Sequence, residues 1–88
     1  NIPGLLDIDV KEYTTWHQSR VSSKTFRVNI QKARDVALEN CLDLKQIHED
    51  QDLEFFVKHG VKAGAARRFV SDIACWVNRY REANKRKE

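Results

Sequence analysis

The segment from Val61 to Tyr80 constrains the fold of this chain more than any other. Its apolar residues recur every three or four positions, at Val61, Ala65, Phe69, Ile73, Trp76 and Tyr80. This spacing places them along one face of an α-helix. The pattern therefore predicts a long last helix, from about Lys62 to beyond Tyr80, that packs one side against a core.

Two further helices are predicted before residue 41. Asp7 or Asp9 is suited to cap the first, because Asp side chains accept hydrogen bonds from first-turn N–H groups, and we expect this helix to reach about His17. The Ser22-Ser23 pair can cap a longer second helix that ends near Asn40. The apolar stripe expected to be buried on that helix consists of Phe26, Ile30, Ala33, Val36, Ala37 and Leu38.

Two short helical segments are predicted between residues 42 and 60. Residues 42–47 fit a single turn that directs its leucine and isoleucine side chains inward. Asp50 or Asp52 can cap the next helix, from Leu53 to about His59, and Gly60 suits a left-handed position at its end. Alternation typical of a strand is confined to residues 26–30. The prediction is an all-α protein, a single compact bundle of about five helices.

The bulk composition predicts one small globular domain. We divide the chain into a lead-in segment (1–8), a helical domain (9–82) and a basic tail (83–88). Of its 88 residues, 41% are hydrophobic and 33% are charged, which supports one domain with a modest core. No apolar run is long enough to span a membrane, so no membrane contact is expected. The chain begins with Asn and contains no Met, so we expect a piece of a longer protein.

Cys41 and Cys75 are the only cysteines, too few for a disulfide framework. Both lie among apolar residues at helical positions. We therefore expect buried free thiols in a reducing compartment, which places the protein inside the cell, in the cytoplasm or the nucleus.

The chain lacks the residue patterns of enzymes and metal sites. Its three histidines and two cysteines do not have the spacing of a zinc site. The segment 60–64 has two glycines but lacks the Gly-Lys-Ser/Thr ending of a phosphate-binding loop. The carboxylates of residues 49–54 lie on a short polar link, where solvation is expected rather than acid–base chemistry. We expect a non-catalytic binding module with no cofactor, no metal and no small-molecule substrate.

The charges of the chain are segregated along the sequence. Residues 41–59 carry a net charge of −3, whereas residues 60–88 carry +5. Lys62, Arg67 and Arg68 crowd the start of the last helix, where the helix dipole disfavours cations. Their presence there indicates a negatively charged partner, although Asp72 can pair with Arg68 one turn away.

From Leu42 onward, the chain resembles the sterile alpha motif (SAM) domain. The residues that match are Leu42-Asp-Leu-Lys-Gln-Ile47, Asp52-Leu53, Gly60-Val61, Gly64 and Arg67-Arg68. In that family a short helix and an acidic connection precede a glycine turn that starts the final helix. The resemblance covers about 40 residues and implies a SAM-like bundle. This chain departs from the family in its longer second helix and in Ala65-Ala66, where bulkier polar residues are common.

The SAM resemblance implies association with another copy or another protein. Many SAM domains join head to tail, through an acidic surface on one domain and the basic start of the final helix on the next. The corresponding acidic residues here are Asp43, Glu49, Asp50, Asp52 and Glu54. The basic residues are Lys62, Arg67 and Arg68, around Gly64, which would allow close approach. Phe55, Phe56 or Val61 would form the apolar centre that tight binding needs.

A second resemblance is to the N-terminal core-binding domain of tyrosine recombinases. It is carried by Tyr13-Thr-Thr-Trp16, Ser22-Ser-Lys-Thr25, Leu44-Lys-Gln-Ile47 and Asp52-Leu53, although the segment from Asp52 to Gly60 is about one turn shorter than usual. This resemblance implies a clamp on DNA through phosphate contacts, and some SAM domains bind RNA hairpins. The alternative function is therefore nucleic-acid binding. Its candidate residues are Arg20, Lys24, Arg27, Lys62, Arg67 and Arg68.

The basic tail ends in Lys85-Arg86-Lys87. A solvated end of the last helix is one interpretation of this run. The start of a nuclear-localisation signal or of a nucleic-acid-binding patch is the other.

Overall fold

A computed structural model describes the backbone of residues 5–87 and the side chains of residues 5–83. This part of the chain forms six α-helices. They are α1 (Leu6–Ser19), α2 (Lys24–Glu39), α3 (Leu44–Asp50), α4 (Leu53–Lys58), α5 (Ala63–Ser71) and α6 (Ile73–Lys87). No strand occurs within this range. The all-α prediction is confirmed, with one helix more than expected. None of these helices is both long and apolar enough to cross a membrane.

The extra helix arises from a break at Asp72, so the prediction of a single last helix is wrong. Asp72 has φ −94° and ψ 5°, and its N–H still donates to the Arg68 carbonyl at 3.0 Å. Its own carbonyl accepts from the Trp76 N–H at 3.1 Å. Because helical backbone hydrogen bonds continue on both sides of Asp72, the apolar residues keep the same spacing before and after the break. The Asp72 side chain bonds His17 of α1, a contact between distant residues that the spacing could not indicate.

The predicted caps are confirmed for α2 and α4 but not for α1. Ser23 accepts a hydrogen bond from the Phe26 N–H at 3.2 Å, and Asp52 accepts one from the Phe55 N–H at 3.2 Å. Asp50, the other candidate for α4, lies in the last turn of α3. The left-handed conformation predicted for Gly60 is also confirmed, with φ +98°.

The capping prediction for α1 is wrong because this helix begins earlier than expected. Its N-cap is Leu5, which makes no side-chain bond, and the Leu5 carbonyl accepts from the Asp9 N–H at 2.9 Å. Asp7 and Asp9 therefore lie inside the first turn, and the last three residues of the lead-in segment are helical. Asp9 is buried, which raises the pKa of its carboxyl, and the nearby Glu12 adds to the rise.

Tyr13 links α1 to α5 at the centre of the core. Its hydroxyl donates to the Phe69 carbonyl at 2.7 Å, and its ring centroid is 5.3 Å from that of Phe69. Trp76 and Phe56 complete this aromatic cluster. The ring centroid of Trp76 lies 6.0 Å from that of Tyr13, and the ring centroid of Phe56 lies 5.4 Å from that of Phe69. Burial of the hydroxyl raises the pKa of Tyr13 far above its ordinary value. The apolar stripe of the last helix, although divided, therefore faces the core as expected.

Both cysteines are free and exposed, so the prediction of buried thiols is wrong. Cys41 follows the end of α2 and has φ 57°, which turns the chain away from the helical face that packs on the core. Cys75 lies beside Trp76 on α6, and the helix directs Trp76 inward and Cys75 outward.

Candidate functional site

The start of α5 is attached to α2 by one buried side chain, Asn29. Its Oδ1 accepts a hydrogen bond from the Lys62 N–H at 3.0 Å, and its Nδ2 donates to the Thr25 carbonyl at 2.9 Å. This contact brings the basic start of α5 against the first half of α2. Asn29 was not among the residues predicted from the sequence. Its place next to Ile30, at the edge of the apolar stripe, is the signal that could have identified it.

A groove with two arginines lies where α1, α2 and α5 meet. Its volume is about 260 Å³, and it is lined by His17, Arg20, Val21, Phe26, Arg68 and Asp72. We call it the basic groove. Arg20 follows α1 and Arg68 lies on α5, so residues that are far apart in sequence share one cavity. The fold thus brings together two members of the predicted nucleic-acid set.

Arg20 is positioned by contacts with two other side chains. Its guanidinium carbon lies 4.8 Å from the centroid of the Trp16 ring, a cation–π geometry. One guanidinium nitrogen, Nη1, is 3.9 Å from the Cys75 Sγ. These contacts direct Arg20 along the surface between α1 and α6 while leaving it exposed.

A network in the groove joins buried His17 to half-buried Asp72 and exposed Arg68. The His17 Nε2 is 3.1 Å from one carboxylate oxygen of Asp72, and the Arg68 Nη1 is 3.5 Å from the other. The predicted pair between Arg68 and Asp72 is confirmed. Because an ionised carboxylate accepts hydrogen bonds, we assign the proton of neutral His17 to Nε2. Burial lowers the pKa of His17, and the charge of Asp72 opposes that shift.

The remaining predicted cations are exposed residues of α2 and α5. Lys24 and Arg27 lie on the first turns of α2, on either side of Phe26, which lines the groove. Gln18 of α1 donates to the Arg27 carbonyl at 3.0 Å and so joins the two helices there. Lys62 and Arg67 lie at the start of α5. None of these four cations forms an ion pair within the described residues, so all four are available to a partner.

The predicted acidic residues lie on or next to α3 and α4, and two of them line a small apolar pocket. This acidic pocket has a volume of about 200 Å³ and is lined by Leu42, Ile47, Asp50, Asp52, Phe55 and Phe56. Glu49 and Glu54 are exposed neighbours of the pocket residues. Asp43 lies apart, because it caps α3 in a reciprocal pair with Gln46. Of the three apolar candidates, Phe56 and Val61 are each only 2% exposed, which leaves Phe55 as the accessible one.

Substitution by alanine is expected to change the stability in opposite directions at Gly64 and at Gly60. Gly64 is helical and exposed, and no atom lies within 4 Å of a Cβ placed on it. We expect Gly64→Ala to raise the free energy of unfolding by about 0.5 kcal/mol, because alanine favours the helix. Gly60→Ala should lower it by about 1–2 kcal/mol, because φ there is +98°. Urea denaturation of both variants measures the two changes, and a destabilising Gly64→Ala would contradict the open environment of that position.

The described residues contain no group of three or more His, Cys, Asp or Glu side chains suited to hold a metal ion. The side chains of the Lys85-Arg86-Lys87 run lie outside the described residues. Comparison with models of known protein families, with curated proteins and with solved structures finds no match to this chain.

Proposed function

We propose that this chain is a non-catalytic helical domain that binds the phosphate backbone of nucleic acid. The contacts would come from Arg20, Lys24, Arg27, Lys62, Arg67 and Arg68. The observation that carries this proposal is that Arg20 and Arg68, from different helices, line one groove. Association with another protein, which the sequence favoured, becomes the second candidate because two of its three apolar anchors are buried.

Fixed spacing between cations is what a phosphate-binding surface needs, because phosphate contacts set the register of a protein on nucleic acid. The Gln18–Arg27 bond holds α1 and α2 together beside the groove. The Asn29–Lys62 bond does the same for α2 and α5. The backbones that carry these cations therefore keep their relative positions without a partner, and binding has to order only the side chains.

We also propose that the domain is a variant of the SAM-like bundle. The succession of two short helices, a left-handed glycine and a basic helix start supports this classification. The 16 residues of α2 and the break at Asp72 are the departures from it. The two free thiols support an intracellular location, in the cytoplasm or the nucleus, where cysteines stay reduced.

The direct test is a binding titration at several salt concentrations. A labelled DNA duplex and an RNA hairpin are each titrated between about 50 and 200 mM salt and followed by fluorescence anisotropy. If all six cations meet phosphates of duplex DNA, the logarithm of affinity should fall with the logarithm of salt concentration with a slope of about −5. The probe that binds more tightly identifies the preferred nucleic acid. Absence of salt-dependent binding to both probes would reject the proposal.

Protein–protein association is the second candidate function, and the acidic pocket favours it. Its apolar lining, with Phe55 accessible and Asp50 and Asp52 at the edge, suits an apolar side chain flanked by cations. The basic start of α5 on another copy has such cations. Exposed ion pairs contribute only about 0.2–1 kcal/mol each, so this association would be weak and sensitive to salt.

Charge reversal at Asp50 tests the second candidate. Asp50 lines the acidic pocket and makes no capping bond, so Asp50→Lys should leave the fold intact. We expect it to weaken self-association by about 5-fold or more, as measured by sedimentation velocity over a range of concentrations at low salt. Glu39→Lys, at the exposed end of α2, is the matched control and should associate like the unmodified protein. A protein that is monomeric at every concentration would exclude self-association.

A further inference from the structure

We propose that His17 is a third cation of the basic groove that acts only when protonated, so that the domain binds phosphodiesters more tightly as pH falls. The inference rests on the proposed nucleic-acid function. It concerns a residue that was not among the predicted contacts. His17 lines the groove together with Arg20 and Arg68, and only 3% of its surface is exposed.

Protonation of His17 changes the charge of the groove without breaking its existing hydrogen bond. In the neutral ring, Nε2 donates to Asp72 at 3.1 Å, and Nδ1 has no partner among the described residues. The second proton therefore goes to Nδ1. Two arginines and one aspartate give the groove a charge of +1, and protonated His17 raises it to +2. The charge of Asp72 is then balanced by His17, which leaves Arg68 more available to a phosphate.

The groups that face His17 explain why this protonation should depend on a bound phosphate. Among the residues that the structure describes, Asp72, at the junction of α5 and α6, is the anion that contacts His17. Arg20 and Arg68 line the same groove and carry positive charge. The rings of Tyr13, Trp16 and Phe26 cover His17 on the other sides, and Cys75 of α6 lies beyond Arg20.

In the free protein, the burial of His17 disfavours its protonation, and the charge of Asp72 favours it. A phosphate bound in the groove would add negative charge close to His17, and a nearby negative charge favours the protonated ring. Protonation of His17 and phosphate binding should therefore favour one another, and by linkage each must strengthen the other equally.

Stability and affinity should respond to pH in opposite directions. Burial lowers the pKa of His17 in the folded protein below its ordinary value of 6.5. The unfolded chain then takes up the proton first, so this contribution to stability is present above about pH 6.5 and is lost as pH falls. Phosphate binding should strengthen over the same range. A residue with only a structural role would change stability with pH and leave the salt dependence of binding unaltered.

The experiment compares salt titrations at about pH 5.5 and pH 8 for the unmodified domain, His17→Gln and His48→Gln, with a short DNA duplex as the probe. The glutamine amide introduced by His17→Gln can still donate to Asp72 but cannot gain a charge. His48 is an exposed residue of α3 that does not line the groove, so it controls for general histidine titration. Circular dichroism at both pH values confirms that each variant is helical.

At the lower pH we expect the unmodified domain to bind about 5-fold more tightly, because the groove then carries one more positive charge. Its salt slope should steepen by up to about 0.9, because protonated His17 balances Asp72 and makes Arg68 more available to a phosphate. His48→Gln should behave in the same way, whereas His17→Gln should show neither change. A parallel titration with an RNA hairpin shows which nucleic acid supplies the phosphodiester that responds to pH.

Two outcomes would overturn the inference while leaving the proposed function intact. In one, the slope of the unmodified domain is the same at both pH values. In the other, His17→Gln retains the full pH response. Absence of salt-dependent binding for every protein at both pH values would instead reject the proposed function, and the inference with it. If His17→Gln does not fold, NMR titration of the unmodified domain tests the inference instead. A gain in affinity of about 5-fold requires the pKa of His17 to rise by about 0.7 when DNA is bound, and an unchanged pKa would overturn the inference.

Discussion

Replacement of Phe69 by alanine is expected to lower the free energy of unfolding by about 3–5 kcal/mol. Phe69 is fully buried where α1, α4 and α5 meet. Its ring centroid lies 5.3 Å from that of Tyr13 and 5.4 Å from that of Phe56. Removal of the ring leaves a cavity that these large neighbours cannot fill without moving. The loss is measured by chemical denaturation followed by circular dichroism.

A loss of this size is severe for a domain of 88 residues, whose total stability is expected to be about 4–13 kcal/mol. Val28→Ala is the matched control, because Val28 is an apolar residue of α2 that is 44% exposed. Its replacement should change the stability by no more than about 0.5 kcal/mol. Equal losses in the two variants would contradict the assignment of Phe69 to the centre of the core.

The second large effect is expected on nucleic-acid binding. Simultaneous replacement of Arg20, Arg67 and Arg68 by glutamine should weaken binding to a DNA duplex by about 100-fold or more at about 50 mM salt. The salt slope should become shallower by about 2.7, since each lost phosphate contact removes about 0.9. The fold should survive, because the pair between Arg68 and Asp72 is exposed on the arginine side and contributes about 0–1 kcal/mol.

The matched control for this variant removes the same charge from other surfaces. Lys11, Lys32 and Lys45 are exposed, and none of them lines the basic groove. Their combined replacement by glutamine lowers the net charge by the same three units, so it should weaken binding only slightly and leave most of the slope. A loss equal to that of the arginine variant would show that net charge attracts the nucleic acid, and that the groove has no special part in binding.

Local sequence was enough to predict the features of this fold that depend on neighbours along the chain. The caps at Ser23 and Asp52 and the left-handed turn at Gly60 each involve residues within one helical turn, so local chemistry was enough to predict them. The apolar stripe of the last helix likewise depends only on the repeat of the helix. The spacing of Phe69 and Trp76 predicted their burial, although it did not reveal the break between them.

The charges were visible in the sequence, but their arrangement in space was not. Arg20 and Arg68 were each candidates, and nothing in their local sequence indicated that they share a groove. That arrangement depends on how α1 packs against α5, which Tyr13 stabilises by its hydrogen bond to the Phe69 carbonyl. The packing of α4 against α5 removed Phe56 from the surface and made it part of the core, which weakened the case for protein association.

Contacts between residues far apart in sequence depend on how the helices pack, and local sequence does not indicate them. Asn29 binds the Lys62 N–H, and His17 binds Asp72, although each pair is widely separated in sequence. A polar residue on a helix is normally a solvated one, so its identity alone does not indicate burial. Burial becomes favourable when another segment supplies the matching donor or acceptor, because an unpaired buried polar group is costly. The sequence thus determined which helices form, and the packing of those helices decided which polar side chains build the groove.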